Sequence, residues 1–385
     1  MFVVHFGLLA VITLVLLTLG LESILRRWAG RPIFSLKFKA QFSNHGKDGL
    51  GSWLLSPEVM SSRDARFSLS HWNELTAWRM RTYERPSNER WYQQPGGPPL
   101  NRLSAIDVAG SEFSIRNRER TTTDQPAPHL NEVMCFGGST TFCMEVSDRN
   151  TWCSVLQRMV GAEFPSQRIR VRNFGIPGTP GLERIETFKS VFPPGAGDIA
   201  VFLFGDNDSG WKQYGIRHGR IHTHLPGAIK FLLRISDYSE IAAWLYGETS
   251  PRHLRRLAVE MARTTIKAAE EASQFARSRG AHVLFVLQPN VYTLAQPEEW
   301  DERIIMATAK DHRIVIEAAY QIFSEWISES GIAVSATHIF DSEKPSPYMG
   351  DALHTNTRGC ELIGQFVLSE LKSKGLLAES TRVST

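Results

Sequence analysis

Five short apolar runs, each ending in glycine or turn residues, constrain this chain more than any other feature. They are EVMCFGG (132–138), IRVRNFG (169–175), DIAVFLFGDND (198–208), HVLFVLQP (282–289) and IAVSATHIFD (332–341). Helix-patterned stretches lie between and after them: DRNTWCSVLQRMV (148–160), a segment around 180–190, a long run over 252–280 that stops at a glycine, residues 298–330 and GCELIGQFVLSELKSKG (359–375). Runs this apolar suit strands covered on both faces. Strands alternating with helices require right-handed crossovers, so the pattern predicts an α/β fold with a central parallel sheet and helices on both sides.

In an open α/β sheet, ligands bind at the carboxyl ends of the strands. Gly137-Gly138-Ser139-Thr140-Thr141 follows the first strand and Asn173-Phe174-Gly175-Ile176-Pro177-Gly178 spans the end of the second. Gly205-Asp206-Asn207-Asp208 follows the third, and Asp351-Ala352-Leu353-His354 lies past the fifth. Together they offer a hydroxyl, N–H groups in tight turns, a side-chain amide and an Asp/His pair. A serine needs a base to become a nucleophile, the base needs a carboxylate to fix its tautomer, and the developing oxyanion needs preorganised donors. The expected roles are Ser139 as nucleophile, His354 as general base and then acid, and Asp351 as its orienting carboxylate. The Ser139 and Gly178 N–H groups and the Asn207 amide are expected to form the oxyanion hole, with Gly175 as the alternative to Gly178. Taken singly, each block has a plainer reading as an N-cap or a turn. A phosphate loop is disfavoured because no lysine follows the glycines.

F-G-G-S-T-T (136–141), N-F-G-I-P-G (173–178), G-D-N-D (205–208) and D-A-L-H (351–354) resemble the four sequence blocks of the SGNH hydrolases, also called the GDSL esterase/lipase family. The first block departs from the family's G-D-S-L, in a form shared by membrane-anchored bacterial members. The resemblance covers roughly residues 130–375. It implies a flavodoxin-like three-layer α/β/α sandwich and a serine esterase working through an acyl-enzyme, without a cofactor. Implied substrates are O-acyl esters, acetyl among them, of a glycan or lipid. The alternatives are acyl transfer to a sugar hydroxyl at the same site and a non-catalytic envelope-binding protein on the same fold.

Residues 2–21, FVVHFGLLAVITLVLLTLGL, form an apolar run interrupted only by His5 and two threonines and long enough to span a bilayer. No Lys or Arg precedes the run and no small-residue cleavage pattern succeeds it, so an uncleaved single-pass anchor is expected over 1–24. Arg26, Arg27 and Arg31 favour a cytoplasmic location for the chain beyond the anchor, whereas the family resemblance favours the extracytoplasmic side. Residues 25–128 read as a Trp-rich extension packing on a catalytic domain over 129–376, with an insert at 209–251 that is a possible lid and a tail over 377–385. Within the extension, residues 70–85 are expected to form a helix capped by Ser70, and Trp53, Trp72, Trp78 and Trp91 to act as apolar anchors.

With 43 Lys and Arg against 40 Asp and Glu, the net charge of +3 argues against nucleic acid as the main partner. Cys135, Cys143, Cys153 and Cys360 lack zinc-site spacing and are too few for a disulfide framework. Cys135 is expected to be a buried thiol, and a Cys143–Cys153 disulfide is left open. His218, His222 and His224 lack an accompanying carboxylate pattern and read as a solvated loop; no metal is expected.

Overall fold

The computed structural model describes residues 56–83, 108–117, 119–191, 193–210, 251–308 and 310–377. The expected anchor, the body of the insert with His218, His222 and His224, the tail from 378, Trp53, Trp91 and the Trp78 side chain lie outside the described residues. Among the described residues no helix is long and apolar enough to cross a membrane.

The apolar runs become β4 (Asn131–Gly137), β5 (Ile169–Gly175), β6 (Ile199–Phe204), β7 (His282–Leu287) and β8 (Ala333–Ser335). They pair in parallel in the order β5-β4-β6-β7-β8, in which the chain starts inside the sheet and winds outward in both directions. This is a doubly wound arrangement, whose switch point lies between β4 and its two neighbours. Alternate residues of each strand enter different cores. Val133, Cys135, Val201, Leu203 and Leu284 meet α4 (Trp152–Glu163) and α9 (Thr357–Ser373) on one face. Met134, Phe136, Phe202, Phe204 and Phe285 meet α5 (Gly181–Ser190), α6 (Pro251–Ser278) and α8 (Lys310–Ser330) on the other. Small residues on α6, Ala258, Ala262, Ala269, Ala272 and Ala276, are buried against that face, which lets a long helix lie close to aromatic side chains.

Four phenylalanines fix the register near the strand ends. Phe136 stands opposite Phe174 of β5 and Phe202 of β6, and Phe202 stands opposite Phe285 of β7. Their rings stack at centroid separations of 5.1, 5.1 and 4.7 Å. Aromatic cross-strand pairs of this kind oppose slippage, and a slip of one residue would exchange the two faces of a strand.

The stretch before residue 129 contributes more than surface packing. β1 (Val108–Ala109), β2 (Ser114–Arg116) and β3 (Glu119–Arg120) extend the sheet beyond β5 as antiparallel strands. They are too short to show a period of two, which is why the sequence pattern does not reveal them. Earlier still, α1 (Pro57–Arg63) and α2 (Leu69–Tyr83) pack on the same body. The α2 cap is Ser68, whose Oγ accepts from the His71 N–H at 3.2 Å, in place of the expected Ser70. Glu74 accepts hydrogen bonds from the N–H groups of Ser111, Glu112 and Phe113 and so ties α2 to the β1–β2 turn. Trp72 packs beside Met60 and Met349.

Two further elements differ from the pattern. Residues 298–330 form two helices, α7 (Glu299–Ala307) and α8, because α7 ends at Thr308 in extended backbone. The last strand is only three residues long. Beyond it the Ser335 and Thr337 hydroxyls bond each other at 2.8 Å and the chain enters a series of turns.

α1 is fastened to the other end of the chain. Asp64 Oδ2 accepts from the Thr357 N–H at 2.8 Å and the Thr357 hydroxyl at 2.6 Å, at the first turn of α9. The Asn356 amide donates to the Arg63 carbonyl at 2.8 Å, and the Arg63 guanidinium donates to the Ser346 carbonyl. Replacing Asp64 with Ala would leave two buried donors without an acceptor, at a cost of about 2 kcal/mol. We expect urea unfolding of Asp64→Ala to show a lower midpoint with an unchanged slope; an unchanged midpoint would mean that this fastening contributes nothing to stability.

Candidate active site

Ser139 is placed by the abrupt end of β4. The chain leaves the sheet through Gly138 and turns at once into α3 (Ser139–Phe142), with Ser139 in its first position. Gly138 leaves room for Asn207: a Cβ there would stand 2.3 Å from Asn207 Nδ2 and would have to displace that amide. Beneath α3, the fully buried Asn173 donates from its amide to the Thr141 carbonyl at 2.8 Å and accepts from the Gly175 N–H at 2.9 Å. That bond occupies the Gly175 N–H, which is therefore not available to an oxyanion. Gly178 adopts φ +65°, a left-handed conformation that favours glycine.

Asn207 is held by its neighbours. Asp208, buried beside it, accepts from the Gly205 N–H at 2.8 Å and from the Gly181 N–H, and forms an ion pair with the buried Arg184 at 2.9 Å. Arg184 in turn donates to the Thr179 carbonyl at 2.6 Å. This network joins the turn after β6 to the turn after β5, which carry Asn207 and Gly178. The Asn207 amide makes no hydrogen bond with any described residue, nor do the N–H groups of Ser139 and Gly178. On the β7 side, the Thr140 hydroxyl donates to Gln288 Oε1 at 2.8 Å. Asp206 Oδ2 lies 2.8 Å from His312 Nε2, and His312 Nδ1 lies 3.1 Å from the Tyr292 hydroxyl.

His354 arrives from the loop between β8 and α9. Its Nε2 lies 2.7 Å from Ser139 Oγ and its Nδ1 lies 2.5 Å from Asp351 Oδ2. With a neutral ring protonated on Nδ1, the imidazole donates to Asp351 and accepts the Ser139 hydroxyl. The other Asp351 oxygen accepts from the N–H groups of Leu353 and His354, at 3.0 and 2.8 Å. The loop itself is pinned by a bridge between Tyr348 and Thr355 and by the Trp300 indole, which donates to the Tyr348 carbonyl at 3.0 Å.

The charges in this pocket are strongly coupled. Burial works to raise the Asp351 carboxyl, but the adjacent imidazole and the two N–H donors outweigh it and hold the group below the ordinary carboxylate range. Burial also opposes a charge on His354, yet Asp351 and then Glu145 overcome it and push the imidazole up to about 10. Glu145 carries no signal in the sequence. It lies in an aperiodic turn after α3, buried, and burial pushes its carboxyl up to about 7.

The structure therefore brings Ser139, His354 and Asp351 into one hydrogen-bonded line, with Asn207 beside Gly138 at its foot. Such a line can lower the barrier for attack by a serine oxygen on an acyl carbon, and the free donors can receive the resulting oxyanion. The four cysteines are buried free thiols; Cys143 lies 3.9 Å from Cys360, and no Cys143–Cys153 bond is present. Among the described residues, no cluster of three His, Cys, Asp or Glu could hold a metal.

No protein-family model matches the chain, and a search of curated proteins gives no match. Solved structures with a similar course of chain include LAE5, an alpha/beta hydrolase from the metagenome of Lake Arreo, Spain, at 14% identity over 65% of this chain and 98% of that one, with a TM-score of 0.35. A candidate lipolytic protein of the G-D-S-L family from Desulfitobacterium hafniense DCB-2 is 12% identical over 61% and 97%, with a TM-score of 0.35. A variant of Axe2, an acetyl xylan esterase from Geobacillus stearothermophilus, is 14% identical over 64% and 96%, with a TM-score of 0.34.

An activated serine reacts with a fluorophosphonate, whereas an ordinary hydroxyl does not. We expect such a probe to label the full chain at Ser139 and labelling to be lost in His354→Ala. Peptide mass spectrometry locates the adduct; modification elsewhere, or labelling that persists in His354→Ala, would contradict the assigned geometry.

Proposed function

We propose that the chain is a serine esterase that cleaves acyl esters through a covalent acyl-enzyme. The observation that carries this reading is the unbroken line from Asp351 through His354 to Ser139, at 2.5 and 2.7 Å. In the first half-reaction Ser139 Oγ bonds to the ester carbon as its proton passes to His354 Nε2. The carbonyl oxygen becomes an oxyanion held by the N–H groups of Ser139 and Gly178 and by the Asn207 amide. When the intermediate collapses, the C–O bond to the alcohol breaks and His354 returns its proton to the leaving oxygen. In the second half-reaction water gives a proton to His354 and its oxygen attacks the acyl carbon; as the C–Oγ bond breaks, His354 returns that proton to Ser139 Oγ and the acid is released. No cofactor takes part.

Two finer points belong to the same reading. The four sequence blocks support an O-acyl ester, acetyl first, on a glycan or lipid as the substrate. The apolar run over residues 2–21 supports attachment to a membrane by a single span, with the catalytic part on the extracytoplasmic side where such esters occur. Anchoring predicts that the full chain stays with the membrane pellet after an alkaline carbonate wash and leaves it only with detergent; release by carbonate alone would refute a spanning segment.

Hydrolysis of p-nitrophenyl acetate, butyrate and octanoate by the detergent-solubilised full chain tests the chemistry. Ser139→Ala is expected to lower kcat by about 10³-fold or more. Asn207→Ala is expected to lower kcat by about 10²-fold with little change in KM, because its amide acts on the oxyanion and not on the ground-state ester. Activity surviving in a folded Ser139→Ala would overturn the proposal.

A further inference from the structure

His354 faces a second carboxyl group that the triad does not use. Glu145 Oε1 lies 3.7 Å from His354 Nε2, the same nitrogen that meets Ser139. The Glu145 side chain is only 2% exposed, and Oε1 has no hydrogen-bond partner among the described residues. A buried carboxyl with an unsatisfied oxygen is costly unless a charge of opposite sign compensates it.

The groups around Glu145 point to His354 as that charge. On β3, Arg120 donates from Nε to Asp148 at 2.5 Å and from Nη2 to the Val146 carbonyl at 3.0 Å, so most of its guanidinium is turned to that pair, and it acts on Glu145 more weakly than His354 does. On α2, His71 lies 2.8 Å from the Met144 carbonyl; burial, and then Arg120, push its imidazole down to about 4, which leaves it neutral. On α9, Cys360 is a buried thiol whose nearest sulfur is Cys143. From the loop before α9, Asp351 carries the same sign as Glu145 and serves the opposite side of the ring. Among the described residues, the imidazolium of His354 is the charge that answers the Glu145 carboxylate most strongly, with Arg120 behind it.

We propose that Glu145 is a positioning residue that acts through His354, its buried carboxylate stabilising from the Nε2 side the imidazolium that forms when Ser139 gives up its proton. This rests on the esterase reading for its catalytic meaning, though not for its electrostatics. Two anions then flank one imidazole: Asp351 at Nδ1 and Glu145 at Nε2. The consequence has two parts of opposite sign. A more basic imidazole drives proton removal from Ser139 more strongly, which favours turnover once the ring is neutral. The same two anions keep the ring protonated at pH values where an ordinary imidazole, with its pKa of about 6.5, is already free to act.

Glu145→Gln keeps the shape and removes the anion, and Glu145→Met fills the same buried space without charge. In both, the imidazolium loses one stabilising partner and gives up its proton at lower pH. The acid limb of kcat/KM for p-nitrophenyl acetate is expected to move down by about one pH unit or more. The alkaline plateau is expected to fall severalfold, because a weaker base drives the transfer less. Since rate follows basicity with a slope below one, the two profiles cross and each variant is faster than the native protein on the acid side. A residue that merely packed the turn would change the plateau and leave the limb in place.

A second readout does not depend on turnover. With 15N-labelled histidine in the full chain, the His354 ring resonances are assigned by their loss in His354→Gln. Their titration midpoint is expected to fall in both Glu145 variants. A midpoint and an acid limb unmoved in variants with native circular dichroism would overturn the proposal. If Ser139→Ala abolishes hydrolysis while neither shifts, the esterase reading stands and the role of Glu145 fails. If the native chain shows no hydrolysis but the midpoint falls, the esterase reading fails and the coupling stands.

Discussion

The register of four adjacent parallel strands is the constraint on which the site depends. Phe174, Phe136, Phe202 and Phe285 stack across β5, β4, β6 and β7, so these strands stop at nearly the same level. Immediately beyond that level the chain turns away three times, at Gly138, near Gly178 and at Gly205. A hydroxyl, a left-handed glycine and an amide thus converge without any of them being carried by a long loop. The aromatic side chains that hold this level belong to the core of one face and touch no reacting group, yet a slip of one strand would separate Ser139 from Asn207.

The imidazole is positioned differently. It sits on a loop, and loops keep their shape through polar contacts because they have no ladder of their own. Here those contacts come from chain segments distant in sequence. Trp300 from α7 holds the Tyr348 carbonyl, Arg63 holds the Ser346 carbonyl, and Asp64 holds the start of α9. The stretch before the first parallel strand is therefore part of the scaffold for the base. Through β1–β3 it also walls in the turn that carries Glu145, with Arg120 stacked against the Phe113 ring at 4.1 Å.

The parallel sheet and the segments that converge beyond it were legible in the sequence because both derive from position. Apolar runs marked the strands, and of the residues singled out beyond their ends the structure brings Ser139, His354 and Asp351 within hydrogen-bonding reach and Asn207 beside Gly138. The features that the sequence concealed share a different property. Glu145, Asp64, Arg63 and Asn173 are polar residues whose significance comes from burial, and burial of a polar side chain leaves no periodic signal. The β1–β3 strands are too short for alternation to register. At the start of α2 the cap is Ser68, two residues before the expected Ser70, a shift that only the backbone geometry reveals. The expected fifth strand ran too long because its second half is apolar enough to be buried in turns, as Ala336 and Phe340 are.

The contact between Asp64 and Thr357 joins residues 293 positions apart, and that between Ser139 and His354 joins residues 215 apart. Closing such long loops is slow, and neither contact forms until the last helix is available. During synthesis the strands that carry the serine and the amide emerge well before the histidine. On the esterase proposal, a growing chain would hold Ser139 without His354 and stay inactive until α9 has docked. On that reading, turnover would report that segments 293 positions apart, at Asp64 and Thr357, have found each other.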